Sequence, residues 1–408
     1  MSIHPRSTVI TGIGIATPSG FGVEDYWSAT RIGKNAIGPV SRFDATGYDA
    51  KLAGEIADFS APDHLPGRLI KQTDRMTQLA LVATDAAFED AGVKPGDVDE
   101  FDMGVVTASS AGGFEFGQNE LKRLWSQGSQ YVSAYQSFAW FYAVNSGQIS
   151  IRNGIRGHSG VVVSDQAGGL DAIAQARRQI RKGSKLICSG GFDASICPWG
   201  WVAQQTNGHM STSDDPDRAY LPFDSAARGY VAGEGGALLI LEDAEAARAR
   251  GARNVYGEIA GYGSTFDPKP GSGRESGLRR AIELALADAG LGPGDIDVVF
   301  ADAVGVPELD RDEAAAISAV FGPYAVPVTA PKTMTGRLHA GASSVDVVAA
   351  VLSMREGLIP PTTNVTLAPE YDIDLVVGYP RTASVRAALV LARGIGGFNS
   401  ALVVRGTP

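Results

Sequence analysis

Cysteine is scarce in this sequence, because only Cys188 and Cys197 occur among 408 residues. Neither stands in a CxxC or Cys/His spacing, so the sequence predicts no disulfide framework and no metal site. This usage is typical of a reducing compartment, and we expect a cytoplasmic protein. Residues 12–17 begin like a dinucleotide fingerprint but have Thr17 where a third glycine is needed. We therefore expect no nicotinamide cofactor, and no cofactor of another kind.

Long apolar runs and a surplus of positive charge are absent as well. No stretch of about 18 uncharged apolar residues occurs, so we expect no membrane span. Residues 1–6 have no apolar stretch behind their positive charge, and we expect no secretion signal. The formal net charge is -10. Because nucleic acids and anionic membranes bind surfaces rich in Lys and Arg, we expect neither as a partner.

The chain does contain an internal repeat. Residues 90–99, DAGVKPGDVD, return as residues 288–297, DAGLGPGDID. Each copy follows a segment with helical periodicity and precedes a short apolar strand. The repeat predicts an α/β protein of two similar halves, residues 1–250 and 251–408, with mostly parallel sheets covered by helices. The alternative is a common helix-stop motif that occurs twice without duplication of the fold.

The segment with the strongest chemical signal is a strand-to-helix turn. Residues 160–165 have the pattern of a buried strand and residues 170–182 that of a helix, and Gln166 lies between them beside two glycines. Enzymes often place a nucleophile at such a turn, where the side chain is exposed and the helix N-terminus stabilises an anion. An amide is neither a nucleophile nor an acid-base group. The turn therefore has the geometry that acyl transfer needs, but it carries no nucleophilic side chain.

The two halves and this turn resemble the β-ketoacyl synthases of the thiolase superfamily, whose turn carries a nucleophilic cysteine in T-A-C-S-S. Gln166 stands at the cysteine position. Further matches run along the chain: VITGIG at 9–14, PFD at 222–224, RGYVAGEG at 228–235, which includes Glu234, and GIGGFN at 394–399. The resemblance implies a thiolase-like fold with mostly parallel mixed sheets in α-β-α-β-α layers.

The two catalytic histidines of that family are also replaced. The family motif A-H-G-T-x-T-P aligns with ADAVGVP at 301–307 and puts Asp302 at the first histidine. The motif K-x-x-x-G-H aligns with KTMTGR at 332–337, which keeps Lys332 and puts Arg337 at the second. We therefore expect no catalytic residue. We hypothesise that Arg337 pairs with Asp302 or another carboxylate, because an unpaired buried charge is costly; the alternative is that both are surface charges.

This combination of replacements resembles the chain length factors, the β subunits of the ketosynthases in bacterial type II polyketide synthases. The resemblance implies an obligate heterodimer with a ketosynthase α subunit, which condenses malonyl and polyketide chains carried on the phosphopantetheine of an acyl carrier protein. The β subunit shapes the cavity in which the chain grows. We expect the apolar stretch SFAWFYAV, residues 137–144, at the dimer interface.

The resemblance also points to a helix that limits product length. Within residues 114–125, Phe114, Gly117, Gln118 and Leu121 share one helical face. In the resembled family this face borders the tunnel, and bulky residues on it shorten the product. Gly117 and the modest Leu121 predict a decaketide or longer; alternatively, Gly117 serves close helix packing.

Other functions remain open from the sequence. In ketosynthase-like loading domains a glutamine at the position of Gln166 accompanies malonyl decarboxylation without condensation, although those domains keep both histidines. A decarboxylase that primes the synthase is therefore the alternative function. A self-sufficient condensing enzyme and a scaffold without effect on the product are two further alternatives.

Overall fold

The computed structural model describes residues 7–94, 96–269 and 271–407. Residues 1–6, on which the expectation about a secretion signal rests, lie outside these ranges. No helix within the ranges is long and apolar enough to cross a lipid bilayer.

The strands are β1 (Thr8–Thr17), β2 (Gly20–Phe21), β3 (Ile37–Pro39), β4 (Leu52–Gly54), β5 (Met103–Ala108), β6 (Ser159–Val162), β7 (Leu186–Asp193), β8 (Ala232–Gly233), β9 (Gly235–Asp243), β10 (Gly257–Phe266), β11 (Val298–Phe300), β12 (Pro327–Thr329), β13 (Leu358–Ile359), β14 (Asp374–Leu375), β15 (Arg381–Thr382), β16 (Ala387–Gly394) and β17 (Phe398–Arg405). The α-helices are α1 (Val23–Thr30), α2 (Ala61–His64), α3 (Gly67–Gln72), α4 (Arg75–Ala91), α5 (Phe114–Gln127), α6 (Val144–Asn153), α7 (Gly168–Lys182), α8 (Pro198–Gln205), α9 (Ala244–Arg250), α10 (Leu278–Ala289), α11 (Pro307–Phe321) and α12 (Ala340–Glu356).

The main sheet has the same strand order twice. One half runs β6-β5-β7-β9-β1 and the other β12-β11-β16-β17-β10. In each half the first three strands are parallel, and the last two pair antiparallel. A short antiparallel seam between β1 and β10 joins the halves. The two similar α/β halves that the repeat predicted are therefore present, whereas their division after residue 250 stays a prediction.

Two helices, α7 and α12, lie between the half-sheets. α12 contacts β7 and β9 on one side and β16 and β17 on the other. Its residues from Ala340 to Ser353 are all buried, as expected of a helix that is apolar on every face. α4 and α6 cover the outer face of the first half-sheet, while α10, with α11 packed on it, covers the second. This arrangement is the expected α-β-α-β-α layering.

Two element boundaries differ from the sequence pattern. The helical periodicity that precedes the second copy of the repeat predicts a helix over residues 274–288. The helix begins at Leu278 instead, because the Asp267 carboxylate accepts hydrogen bonds from Ser276 Oγ and the Gly277 N–H and holds the preceding segment as a loop. The strand expected over 160–165 ends at Val162. Asp165 has a φ of 49°, which cannot continue an extended strand.

Candidate active site and chain-length helix

Gln166 lies in a 3₁₀ turn, residues 165–167, between β6 and α7. Its backbone oxygen accepts a hydrogen bond from Ser343 Oγ at 2.7 Å, which anchors the turn to α12. The positive φ of Asp165 makes the turn sharp, at an energetic cost for a residue other than glycine. The turn expected from the sequence is thus present. The exposure expected for its side chain is wrong, because Gln166 is fully buried.

Asp302 and Arg337 occupy the space beside the Gln166 amide. Gln166 Nε2 donates to Asp302 Oδ1 at 2.8 Å, and Arg337 Nη1 lies 3.2 Å from Asp302 Oδ2. All three side chains are buried. The hypothesised ion pair is therefore present, and the interpretation of Asp302 and Arg337 as surface charges is wrong. We call these three residues the Gln-Asp-Arg cluster.

The hydrogen bonds of the Gln-Asp-Arg cluster join its members to one another and to the backbone of Arg393 in β16. Arg337 Nη2 donates to the Arg393 carbonyl at 2.6 Å, and Asp302 Oδ1 also accepts the Arg393 N–H at 2.9 Å. The guanidinium lies 5.6 Å above the ring centre of Tyr230. Although burial opposes its charge, the neighbouring Asp302 carboxylate holds the pKa of Arg337 above its usual range. Gln166 Oε1 is buried and has no hydrogen-bond partner among the described residues.

A second acid lies directly behind Asp302. Glu313 accepts the backbone N–H groups of Asp302 and Ala303 at 2.6 and 2.8 Å. Burial, and then repulsion by Asp302, raise the pKa of Glu313 to about 7. Two buried carboxyl groups, those of Asp302 and Glu313, therefore lie next to each other in this part of the site.

Neither cysteine supplies the missing nucleophile. Cys188 lies inside β7 and Cys197 directly before α8, and both are buried. Burial raises the pKa of Cys188 to about 12 and that of Cys197 to about 11. Because the thiolate is the reactive form, both side chains are unreactive near neutral pH.

His339 is a neighbour of the cluster to which motif comparison assigned no role. His339 Nδ1 lies 3.2 Å from Asp165 Oδ1, and Asp165 Oδ2 accepts the N–H of Ile395 at 3.0 Å. Although burial opposes ionisation, the hydrogen bond and charge of His339 hold the pKa of Asp165 well below its usual range. The pair therefore supports the turn that carries Gln166. Its only signal in the sequence is that His339 follows closely after Arg337.

Lys332 and Glu234, which match family positions, form separate buried ion pairs. Lys332 Nζ lies 2.8 Å from Asp346 Oδ2 and also donates to the carbonyl of Ala301, the residue before Asp302. Arg75 Nε and Nη2 each lie 2.8 Å from an oxygen of Glu234. Lys332 thus supports the segment that carries Asp302, whereas Glu234 is tied to the start of α4.

A cleft of about 800 Å³ reaches the Gln-Asp-Arg cluster from the surface. Its lining includes the buried Asp302 and Arg337 and the exposed Phe266 and Ile395. Gln166 is not among the described residues that line it. A molecule in this cleft would therefore meet the ion pair rather than the amide.

The second region predicted from the sequence is α5, where the structure brings Phe114, Gly117 and Gln118 to Trp199. Phe114 stacks on the Trp199 ring with centroids 4.8 Å apart. Gln118 Oε1 accepts a hydrogen bond from the backbone N–H of Trp199 at 2.6 Å. A Cβ on Gly117 would lie 3.1 Å from Trp199 Cζ3. The open space expected beside Gly117 is therefore taken by this ring, while Leu121 is partly exposed. Sequence reasoning missed Trp199, because it lies on α8 and no local motif links it to α5.

The stretch 137–144 remains partly exposed in the isolated chain. Trp140 is 44% exposed, and Phe141 and Tyr142 are also exposed. Within the described part of the chain, β6 is the edge strand of its half-sheet and pairs only with β5. Exposed aromatic side chains and an unpaired strand edge are both features of a surface that another chain covers.

Comparisons with known proteins show the family to which this sequence is related. The sequence matches the β-ketoacyl synthase N-terminal domain over residues 6–247 and the C-terminal domain over residues 256–366. It is 59% identical over 403 residues to the tetracenomycin polyketide synthase ketoacyl synthase beta subunit of Streptomyces glaucescens, a match that covers 98% of each chain.

Solved structures with the same thiolase-like fold include two from polyketide systems. The ishigamide ketosynthase/chain length factor has a TM-score of 0.90 at 28% identity, and the match covers 99% of this chain and 100% of that one. The complex AntDE:AntF, a type II PKS acyl-carrier protein with its ketosynthase bound to the hexaketide, has a TM-score of 0.88 at 26% identity with the same coverage.

Removing one member of the ion pair should destabilise the protein strongly. Arg337→Met leaves Asp302 buried without its counter-ion, and we expect a loss of about 3–5 kcal/mol in the free energy of unfolding. The double variant Asp302→Asn/Arg337→Met should recover part of this loss, because both charges are gone. Urea unfolding measures the free energy of unfolding of the wild type, the single variant and the double variant.

A matched control is Arg279→Met, which breaks the exposed Arg279–Glu283 pair on α10. This change should lower the free energy of unfolding by less than about 1 kcal/mol. A stability of Arg337→Met equal to that of this control would show that the buried pair does not hold the site together.

Proposed function

The chain belongs to the β-ketoacyl synthase family, and from this membership we propose that it is a chain length factor, the β subunit of a type II polyketide ketosynthase. It forms a heterodimer with an α subunit that carries out the Claisen condensations on acyl carrier protein, and it shapes the cavity that limits product length. It does not condense by itself. The observation that carries this proposal is the Gln-Asp-Arg cluster, because it fills the position of the reactive groups with a closed ion pair.

The chemistry of the cluster supports the absence of independent condensation. Condensation needs a thiolate to hold the acyl chain and neutral donors to stabilise the enolate. Gln166 has no nucleophilic atom, and Asp302 would place negative charge where negative charge develops. The donors of Arg337 are already directed at Asp302 and at the Arg393 carbonyl.

The surface supports a partner subunit. The aromatic stretch 137–144 and the edge strand β6 supply apolar area and unpaired backbone groups, and together they suit an obligate interface. Carrier proteins are acidic, and this chain has a net charge of -10. The α subunit therefore supplies most of the attraction for the carrier protein.

Changes on the face of α5 that contacts Trp199 test the chain-length role. In the heterodimer, Leu121→Trp should shift the main product to a polyketide shorter by about one extension unit or more, because a larger side chain removes cavity volume. Product mass after incubation with carrier protein and malonyl units measures the shift. The control is Asn119→Trp, an equally bulky change on another face of α5. Unchanged product length with Leu121→Trp would show that α5 does not limit product length.

Decarboxylation through Gln166 is the alternative function, and it can be tested separately. The amide is fully buried and does not line the cleft among the described residues, so we expect Gln166→Ala to leave the rate of acetyl-carrier formation from malonyl-carrier within about two-fold of the wild type. The heterodimer yield serves as the folding control. A loss of about ten-fold or more with intact heterodimer would establish the decarboxylase instead.

A further inference from the structure

The start of α5 is capped by a residue from another helix. The residue before the helix, Gly113, has no side chain that could accept a hydrogen bond, although a helix N-terminus leaves several N–H groups without partners. The N–H of Phe116 in the first turn donates to Asp74 Oδ2 at 2.8 Å. The sequence separation between these two residues is 42 positions.

Asp74 caps its own helix at the same time. Its Oδ1 accepts the N–H of Met76 at 2.8 Å and so caps α4. One carboxylate therefore serves two helix N-termini, and both helix dipoles favour its negative charge. Only 2% of the residue surface is exposed. Burial raises the pKa of Asp74 to about 7, against the opposite effect of the Phe116 and Met76 N–H groups.

The two helix starts are in direct contact. A Cβ on Gly113 would lie 2.8 Å from the Cβ of Asp74 and 2.3 Å from the carbonyl oxygen of Ala139, so only glycine fits there. This close approach lets the Asp74 carboxylate reach past Gly113 to the first turn of α5.

Further along, α5 is held by two more side chains that bind backbone N–H groups. Gln118 Oε1 accepts from Trp199 and Glu120 Oε2 from Ser133, both at 2.6 Å. Together with the Asp74 bond, these contacts oppose sliding and rotation of the helix. Of the three, the Asp74 bond is the one made by the first turn of α5, which begins at Phe114.

We propose that Asp74 is a positioning residue for product length: its shared cap sets the position and rotation of α5, and thereby the placement of Phe114 and Gly117 against Trp199. The inference rests on the proposed chain-length role of α5. Asp74 acts through the backbone of Phe116 and need not touch the growing chain.

The test is Asp74→Ser in the heterodimer. Serine is a good N-cap for α4 but is too short to reach the Phe116 N–H as well. Amide hydrogen exchange of the peptide that contains Phe116 should become roughly ten-fold faster, because a buried hydrogen bond is lost. The product should spread over neighbouring chain lengths while the heterodimer yield is kept.

The control is Asp243→Ser at the N-cap of α9, where Asp243 accepts the N–H of Ala246 at 3.0 Å. The same chemical change there should leave both the exchange at Phe116 and the product length unchanged. If the Asp74→Ser protein does not assemble, Asp74→Asn replaces it, since the asparagine keeps the size of the side chain but loses one of its two acceptors.

The outcomes separate this inference from the proposed function. Unchanged exchange at Phe116, or faster exchange with an unchanged length distribution, overturns the role of Asp74; if Leu121→Trp still shortens the product, the chain-length function stands. If Leu121→Trp has no effect either, α5 does not set product length, and the premise of this inference fails. A broadened distribution that Asp243→Ser does not reproduce supports the positioning role.

Discussion

The buried ion pair between Asp302 and Arg337 is the interaction on which the rest of this site depends. Neither charge is stable alone in the interior, so the two replacements depend on each other. Gln166 fits the pair because its Nε2 donates to Asp302, whereas a thiolate at that position would face a second negative charge. Substituting a cysteine for Gln166 would therefore be insufficient to restore a reactive site, since the neighbouring Asp302 carboxylate is already engaged in its ion pair with Arg337.

A further buried carboxylate, that of Asp193, connects the region of the Gln-Asp-Arg cluster with α5, the helix that we assign to chain length. Asp193, at the end of β7, accepts the N–H groups of Ser110 and Ala111 in the segment before α5. It also accepts the N–H of Ala340 at the start of α12, shortly after Arg337. Under the proposed function, a chain that does not condense by itself uses buried carboxylates of its fold to hold the walls of the cavity. The proposed absence of condensation and the proposed control of product size are therefore compatible in one chain.

Much of the fold could be predicted because it is encoded locally. Helical periodicity, the glycine stop after α4 and its repeated copy after α10 are signals within short windows, and they led to the two halves and to the turn at Gln166. The burial of Gln166 could not be predicted, because it depends on Asp302, which is 136 positions away. The contact of α5 with Trp199 and the cap from Asp74 were missed for the same reason, since each joins segments that no sequence window contains.

The central claim is that this chain shapes a reaction whose covalent steps take place on its partner. The most direct measurement is the intact mass of both subunits after the heterodimer has been incubated with acylated carrier protein and quenched. The account predicts an added acyl mass on the α subunit and none on this chain. A covalent acyl group on this chain would contradict it.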